Sequence, residues 1–264
     1  MLIISSHTSE ILADTFTPNR WFTVTMGTGI VATLLHQLPY NSNWLGIVSD
    51  IFFVLNIILF VGFSIISLFR YTLYPHLWGT TLRHPQQNLF LGTIPTGLAT
   101  LINMTVLVCV PVWGQGMATF AWVLWWIDIV LAVTSCFYMT LMVYVFHPIT
   151  PSTSAQYCSE YLTGYSISIK KADLSTMTAL WLLPVLPAVL VSSSGALIAS
   201  VLKNPQHQLW TLIISYVLWG CSIPLAMAIL SLYFLRLMVH EPPPKEVIVS
   251  VFLPIGPLGL GGYV

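Results

Sequence analysis

Two carboxylates lie inside long apolar stretches and are the side chains best placed to do chemistry. Asp50 sits near the end of its stretch, within reach of water, whereas Asp128, in Trp125-Trp126-Ile127-Asp128, lies near the middle of another. A charged Asp at the centre of a membrane helix costs about 2.5–3.5 kcal/mol on insertion scales, so Asp128 needs a partner or a proton. Two roles fit it: a proton-coupling carboxylate, or a protonated or hydrogen-bonded packing residue. The seven histidines, His7, His36, His76, His84, His147, His207 and His240, each fall near a helix end or in a tail or loop. None forms HExxH or a Cys/His cluster, so no metal site is expected. Cys109, Cys136, Cys158 and Cys221 are far apart, with no CxxC pair. Asn103-Met104-Thr105 matches a glycosylation sequon inside an apolar stretch, where no modification is expected. No GxSxG, Walker A or dinucleotide fingerprint occurs, so no catalytic residue, cofactor or ATP-driven step is expected of this chain.

The elements that hold these residues follow from composition. Of 264 residues 56% are apolar and 6% charged, against about 25% charged in a soluble domain. So few charges cannot cover a water-facing surface, and the bilayer is the solvent to reason with. Eight Lys plus Arg balance eight Asp plus Glu, leaving no basic footprint for nucleic acid. Residues 1–20 have no apolar core followed by a cleavage site, so no cleaved signal peptide is expected.

A helix needs about 20 apolar residues to cross a core of about 30 Å. The sequence therefore reads as an all-α polytopic membrane protein: a tail over 1–20 and a transmembrane domain over 21–264. Six full spans are expected, at about 21–38, 44–70, 89–110, 117–146, 178–202 and 209–238, with a partial seventh at 247–264. Arg20, Arg70, Arg83, Lys170, Lys171, Arg236 and Lys245 fall on one side and only Lys203 on the other. By the positive-inside rule the N-terminus is cytoplasmic. Short connections at 39–43, 111–116 and 203–208 make tight helical hairpins, and the longest loop, 147–177, is rich in Ser, Thr and Tyr.

Helix breakers recur in alternate spans. The first carries Gly27-Thr28-Gly29, the third Gly92-Thr93-Ile94-Pro95-Thr96-Gly97, the fifth Pro184 and Pro187 before Ser192-Ser193-Ser194-Gly195, and the seventh Pro254-Ile255-Gly256-Pro257. A proline inside a helix costs about 3 kcal/mol and frees a carbonyl that lipid cannot satisfy. Such positions belong beside protein or a water-filled path. Residues at i, i+3, i+4 and i+7 share a face, which groups Thr25, Gly29, Ala32 and His36 in the first span and Gly92, Thr96, Ala99 and Asn103 in the third. One reading of these stripes is close helix packing of the small-xxx-small kind. The other gathers the interrupted odd helices around a central pore with the even helices outside. A pore lined by Gly, Pro, Ser and Thr without buried Lys or Arg suits a weakly held small anion, although a neutral solute fits the same lining. An ionised Asp128 would oppose anion passage, which favours its packing role.

Four stretches carry a resemblance: Asn19-Arg20-Trp21-Phe22-Thr23-Val24-Thr25-Met26-Gly27-Thr28-Gly29-Ile30, Leu82-Arg83-His84-Pro85, Phe90-Leu91-Gly92-Thr93-Ile94-Pro95-Thr96-Gly97, and Phe252-Leu253-Pro254-Ile255-Gly256-Pro257-Leu258-Gly259. They resemble the tellurite-resistance/dicarboxylate transporter family, also called voltage-dependent anion channel or malic acid transport proteins, and within it the fungal sulfite-efflux branch. The resemblance implies a ten-helix protomer of five hairpins with the odd helices lining the pore, often a homotrimer, in the plasma membrane. It implies a small-anion substrate, sulfite first, with proton-coupled malate or C4-dicarboxylate transport as the alternative. The gating phenylalanine that the family carries on its ninth helix has no counterpart here. Five inner helices cannot close a pore when the fourth is partial and the fifth missing. Either the chain is a fragment, which is the expectation, or partner protomers complete the wall; a non-transporting remnant that associates with full-length relatives is a further reading.

Overall fold

The computed structural model describes residues 18–38, 43–73, 90–139, 179–239 and 252–261, and every regular element among them is helical. Residues 1–17, the motif Leu82-Arg83-His84-Pro85, the loop at 147–177 and Lys245 lie outside the described residues. The long elements are α1 (Pro18–Gln37), α2 (Asn43–Leu73), α3 (Thr93–Met104), α4 (Gln115–Thr134), α5 (Leu186–Val201), α6 (Pro205–Val239) and the short α7 (Ile255–Gly261). A π turn at Thr105–Cys109 carries α3 on to a last turn at Val110–Trp113, and another at Ser135–Met139 extends α4. The first π turn lies just ahead of Pro111, which has no N–H to continue an α-helical ladder. The α3 segment ends at Gly114, whose φ of 74° is the one left-handed value among the described residues.

Among the described residues, four helical stretches are long and apolar enough to cross a membrane: Trp44–Leu73, Thr93–Trp113, Gln115–Phe137 and Pro205–Val239. The spans expected at 44–70 and 209–238 fall within α2 and α6. Helix α5 is shorter, because the span expected at 178–202 begins as a 3-10 turn, Ala179–Leu182, before the α-helix starts at Leu186. Its 16 residues reach about 24 Å at 1.5 Å per residue. Helix α1 is continuous but is not among the four, since Thr, Gly and His dilute its apolar content.

The odd helices pack side by side, α1 on α3, α3 on α5, and α5 on α7. Each even helix packs antiparallel on its hairpin partner, α2 on α1 and α6 on α5, while α4 covers the seam between α3 and α5. The core lies in that seam, where Ala99, Ile102, Val106, Ala121, Trp125 and Val191 meet. Large apolar side chains on α2, such as Ile47, Ile51, Val54, Ile58, Val61 and Ile65, remain exposed at helical spacing. In a bilayer they face lipid.

The breakers behave differently from span to span. Helix α1 runs unbroken through Gly27-Thr28-Gly29, because glycine in a helix interior costs only about 0.5–1 kcal/mol and removes no donor. Pro224 lies inside α6, an even helix that also continues through it. In α3, α5 and α7 the α-helix instead begins at the breakers. A 3-10 turn, Phe90–Gly92, precedes α3, with Pro95 in its first turn. The segment before α5 holds Pro184 in a turn, and Pro187 opens the helix. Pro254 precedes α7, and Pro257 lies in its first turn. A first-turn proline gives up an N–H that has no helical partner anyway. These prolines therefore start helices rather than kink them.

Candidate functional site

The starts of the odd helices pack directly on one another. A Cβ built on Gly92 would stand 2.6 Å from the Leu183 carbonyl oxygen and 3.2 Å from the Pro184 Cα, so the turn before α3 rests on the turn before α5. A Cβ on Gly256 would stand 3.3 Å from the Leu186 side chain, which sets the start of α7 against the start of α5. Pro95, Pro184, Pro187, Pro254 and Pro257 are all buried at these junctions. The turn before α5 keeps its own backbone bonds, Leu183 N to Leu180 O at 3.0 Å and Val185 N to Leu182 O at 3.1 Å. Neither α3 nor α5 has a side chain capping its first turn. The tertiary fold thus brings Gly92, Pro184 and the flanks of Pro187 and Pro257 together in one layer.

Farther along the same wall, Gly29 and Gly97 set the spacing of α1 and α3. A Cβ on Gly29 would overlap Thr100 and lie 2.7 Å from Asn56 Nδ2, and one on Gly97 would lie 2.8 Å from Thr25 Oγ1. Thr25, Gly29 and Ala32 are buried on one side of this contact, and Thr96 and Ala99 share the buried face of α3. These residues lie in close contact between the two helices. Gly27, by contrast, is exposed, with open space where a Cβ would stand.

Most buried hydroxyls are committed to their own helices. Ser192, Ser193 and Ser194 donate to Val189 O, Leu190 O and Leu190 O at 2.6, 2.8 and 3.0 Å. Thr96 donates to Gly92 O at 2.8 Å and Thr100 to Gly97 O at 2.7 Å. Such back-bonding leaves these oxygens as acceptors, which an anion does not want. Among the described residues, the buried donors without a partner include Asn56 Nδ2, Ser67 Oγ, Ser215 Oγ and Tyr233 Oη. Asn56 accepts from Thr28 Oγ1 at 2.9 Å, an α1–α2 tie. Ser215 sits where Gly195 of α5 meets α6, a contact so close that a Cβ on Gly195 would overlap Ser215 and come 2.6 Å from Trp125.

Asp128 lies apart from the junction layer, on the buried stripe of α4 with Ala121, Trp125 and Ala132. It is fully buried, and neither carboxyl oxygen has a hydrogen-bond partner. One turn away, Trp125 Nε1 donates to Val191 O at 2.9 Å, fastening α4 to α5. Asp50, at the other end of α2 from Arg70, is exposed.

Reading the sequence as a lining without buried Lys or Arg missed Arg236. That residue is 5% exposed and continues the buried stripe Ser222, Ala226, Leu230 and Tyr233 of α6. Steps of three and four along an apolar helix were the available signal, obscured because Arg236 also counts as a side-determining cation.

Inner helices rich in small residues, three of them begun at prolines and wrapped by apolar outer ones, define an all-α polytopic membrane protein. Residues 15–264 match the voltage-dependent anion channel family, and the chain belongs to that family. It is 43% identical to the sulfite efflux pump SSU1 of Arthroderma otae over 92% of this chain and 59% of that protein. It is 31% identical to the sulfite efflux pump SSU1 of Candida albicans over 96% of this chain and 48% of that protein. A malic acid transport protein of Schizosaccharomyces pombe is 23% identical over 92% of this chain and 50% of that protein. The chain therefore spans about half to three fifths of the length of these curated relatives. No solved structure matches it.

Proposed function

We propose that the chain serves the transport of a small anion, with sulfite efflux across the plasma membrane as its activity. The observation that carries this reading is the 43% identity, over 92% of the chain, to a protein named as a sulfite efflux pump. In this reading residues 1–20 form a cytoplasmic tail and 21–264 the transmembrane domain. The stacked helix starts at Gly92, Pro95, Pro184, Pro187, Pro254 and Pro257, with Gly97 farther along α3, shape the anion path. Gly27 and Gly29 belong to the wall of α1. The working assembly is a homotrimer with lipid around the even helices.

The test is sulfite tolerance and release in a sensitive yeast lacking its own pump. The 264-residue chain is compared with a chimaera carrying the parts of the Arthroderma otae relative that lie outside the matched stretch. Rescue by either form supports the reading. Rescue by neither, with both at the cell surface, rejects sulfite, and binding of the chain to a full-length relative would then mark it as a non-transporting partner.

The fully buried, unpartnered Asp128 favours one second reading, proton-coupled malate or C4-dicarboxylate transport. Competition of labelled malate against sulfite separates the two. Under the leading reading Asp128 is a packing residue, and Asp128→Asn leaves the proton dependence of uptake unchanged. Loss of that dependence would move the assignment to coupling.

A further inference from the structure

We propose that Asn103 is the side chain of the α3 wall that donates to the transported anion, a small anion such as sulfite. The inference rests on the anion-transport reading above. Asn103 stands three residues after Thr100 and four after Ala99, and residues so spaced share a helix face. Thr100 lies against Gly29 of α1, whereas Ala99 belongs to the core that α3 makes with α4 and α5. Asn103 therefore lies between the edge of α3 that meets α1 and the edge that meets α5. On the opposite flank, Leu98 packs against the α4–α5 core and Leu101 against the cluster of Ala32 and Phe53. The even helices α2 and α4 take part in those two contacts, which leaves Asn103 on the inner side of the row of odd helices.

Its carboxamide is uncommitted. Asn103 is half-buried and makes no hydrogen bond among the described residues. The Oδ1 end is enclosed, which leaves the N–H2 end toward the less buried side. The hydroxyls around it are already engaged. Thr96, Thr100 and Thr105 of α3 donate to Gly92 O, Gly97 O and Leu101 O at 2.8, 2.7 and 2.8 Å, and Thr33 of α1 donates to Gly29 O at 3.0 Å. Asn56 and Ser215 also keep a donor without a partner, but both are buried in helix contacts that Gly29 and Gly195 draw tight. Asn103 combines an inner position, partial access and a donor that its own helix does not use.

The chemistry suits a passing anion. A carboxamide offers two N–H donors and carries no charge. It replaces part of the water around a small anion and still lets the ion leave, and conduction requires both. A carboxylate at the same place would repel the anion, and an apolar side chain of similar size would give it no donor.

The test follows sulfite release in the sensitive yeast for the native chain, Asn103→Leu and Asn103→Asp at matched surface amounts. The unfolding midpoint of each purified chain is measured in detergent with sodium sulfite and with sodium chloride at equal ionic strength. Asn103→Leu is expected to lower sulfite release about tenfold, the scale of one lost hydrogen bond to a charged group, and Asn103→Asp to lower it further. Asn103→Ala adds no bulk and takes the place of the leucine variant if that chain fails to fold. Sulfite should raise the midpoint of the native chain more than that of Asn103→Leu, because a ligand stabilises the state that binds it, while the general effect of the salt is common to both. Release by Asn103→Leu equal to that of the native chain overturns the assignment. Where the native chain releases no sulfite, the midpoints decide. Protection by sulfite that depends on Asn103 then keeps the assignment and removes the transport reading, and protection that is absent, or equal in the two chains, overturns the assignment.

Discussion

Helices α2 and α5 are built from similarly apolar residues and meet opposite surroundings. In α2 only 17% of the most apolar window is buried, whereas α5 buries Leu186 through Gly195 without a break. The difference lies in side-chain size rather than polarity. Helix α2 presents Ile, Val, Leu and Phe all round, and lipid accepts them at no loss. Helix α5 carries Ala188, three serines and Gly195, so neighbours on several sides can approach its backbone. In a bilayer there is no hydrophobic force to sort helices inward. Small residues that permit close contact decide which helix becomes the centre.

That comparison breaks most easily at Gly195. Gly195→Leu drives a side chain into Ser215 and Trp125 and is expected to cost about 3 kcal/mol, the upper range for overpacking, read as a lower unfolding midpoint in detergent. Gly220→Leu on α6, which points into open space, should leave that midpoint nearly unchanged. Equal effects at the two positions would mean that α5 is not the packing centre. Next in size is Trp125→Phe, which removes the tie to Val191 O and part of the α4–α5 contact. Its expected cost is about 1–3 kcal/mol, the penalty for a buried acceptor left short of its donor.

The prolines sharpen the contrast between starting a helix and interrupting one. Pro95→Ala and Pro187→Ala should insert and accumulate normally, because each sits where the helix begins, at a stability change under about 1 kcal/mol. Their expected effect is on sulfite flux, and normal flux in both would remove the helix starts from the transport path. The smallest effect belongs to Ser193→Ala. Its hydroxyl is committed to Leu190 O, so flux within twofold of the native chain and a stability change of about 0.5 kcal/mol or less are expected. A large loss of flux would mean that this hydroxyl turns toward the permeant ion.

Much of this architecture is legible without coordinates. A chain with 6% charged residues is solvated by lipid, and its long apolar stretches read as helices. The grouping of Thr25, Gly29 and Ala32, and of Gly92, Thr96 and Ala99, follows from the helical period alone. What periodicity cannot say is what a shared face meets. Only the tertiary structure decided that Gly29, Gly92 and Gly97 are taken up in helix contact while Gly27 points into open space. It also decided that the Ser192-Ser193-Ser194 hydroxyls turn back on their own carbonyls, and that Arg236 is enclosed rather than at a loop. The physical reason is the same in each case. A residue's type and its neighbours in sequence set which contacts it can make, but the partner comes from another helix, and its distance depends on every small side chain between the two axes.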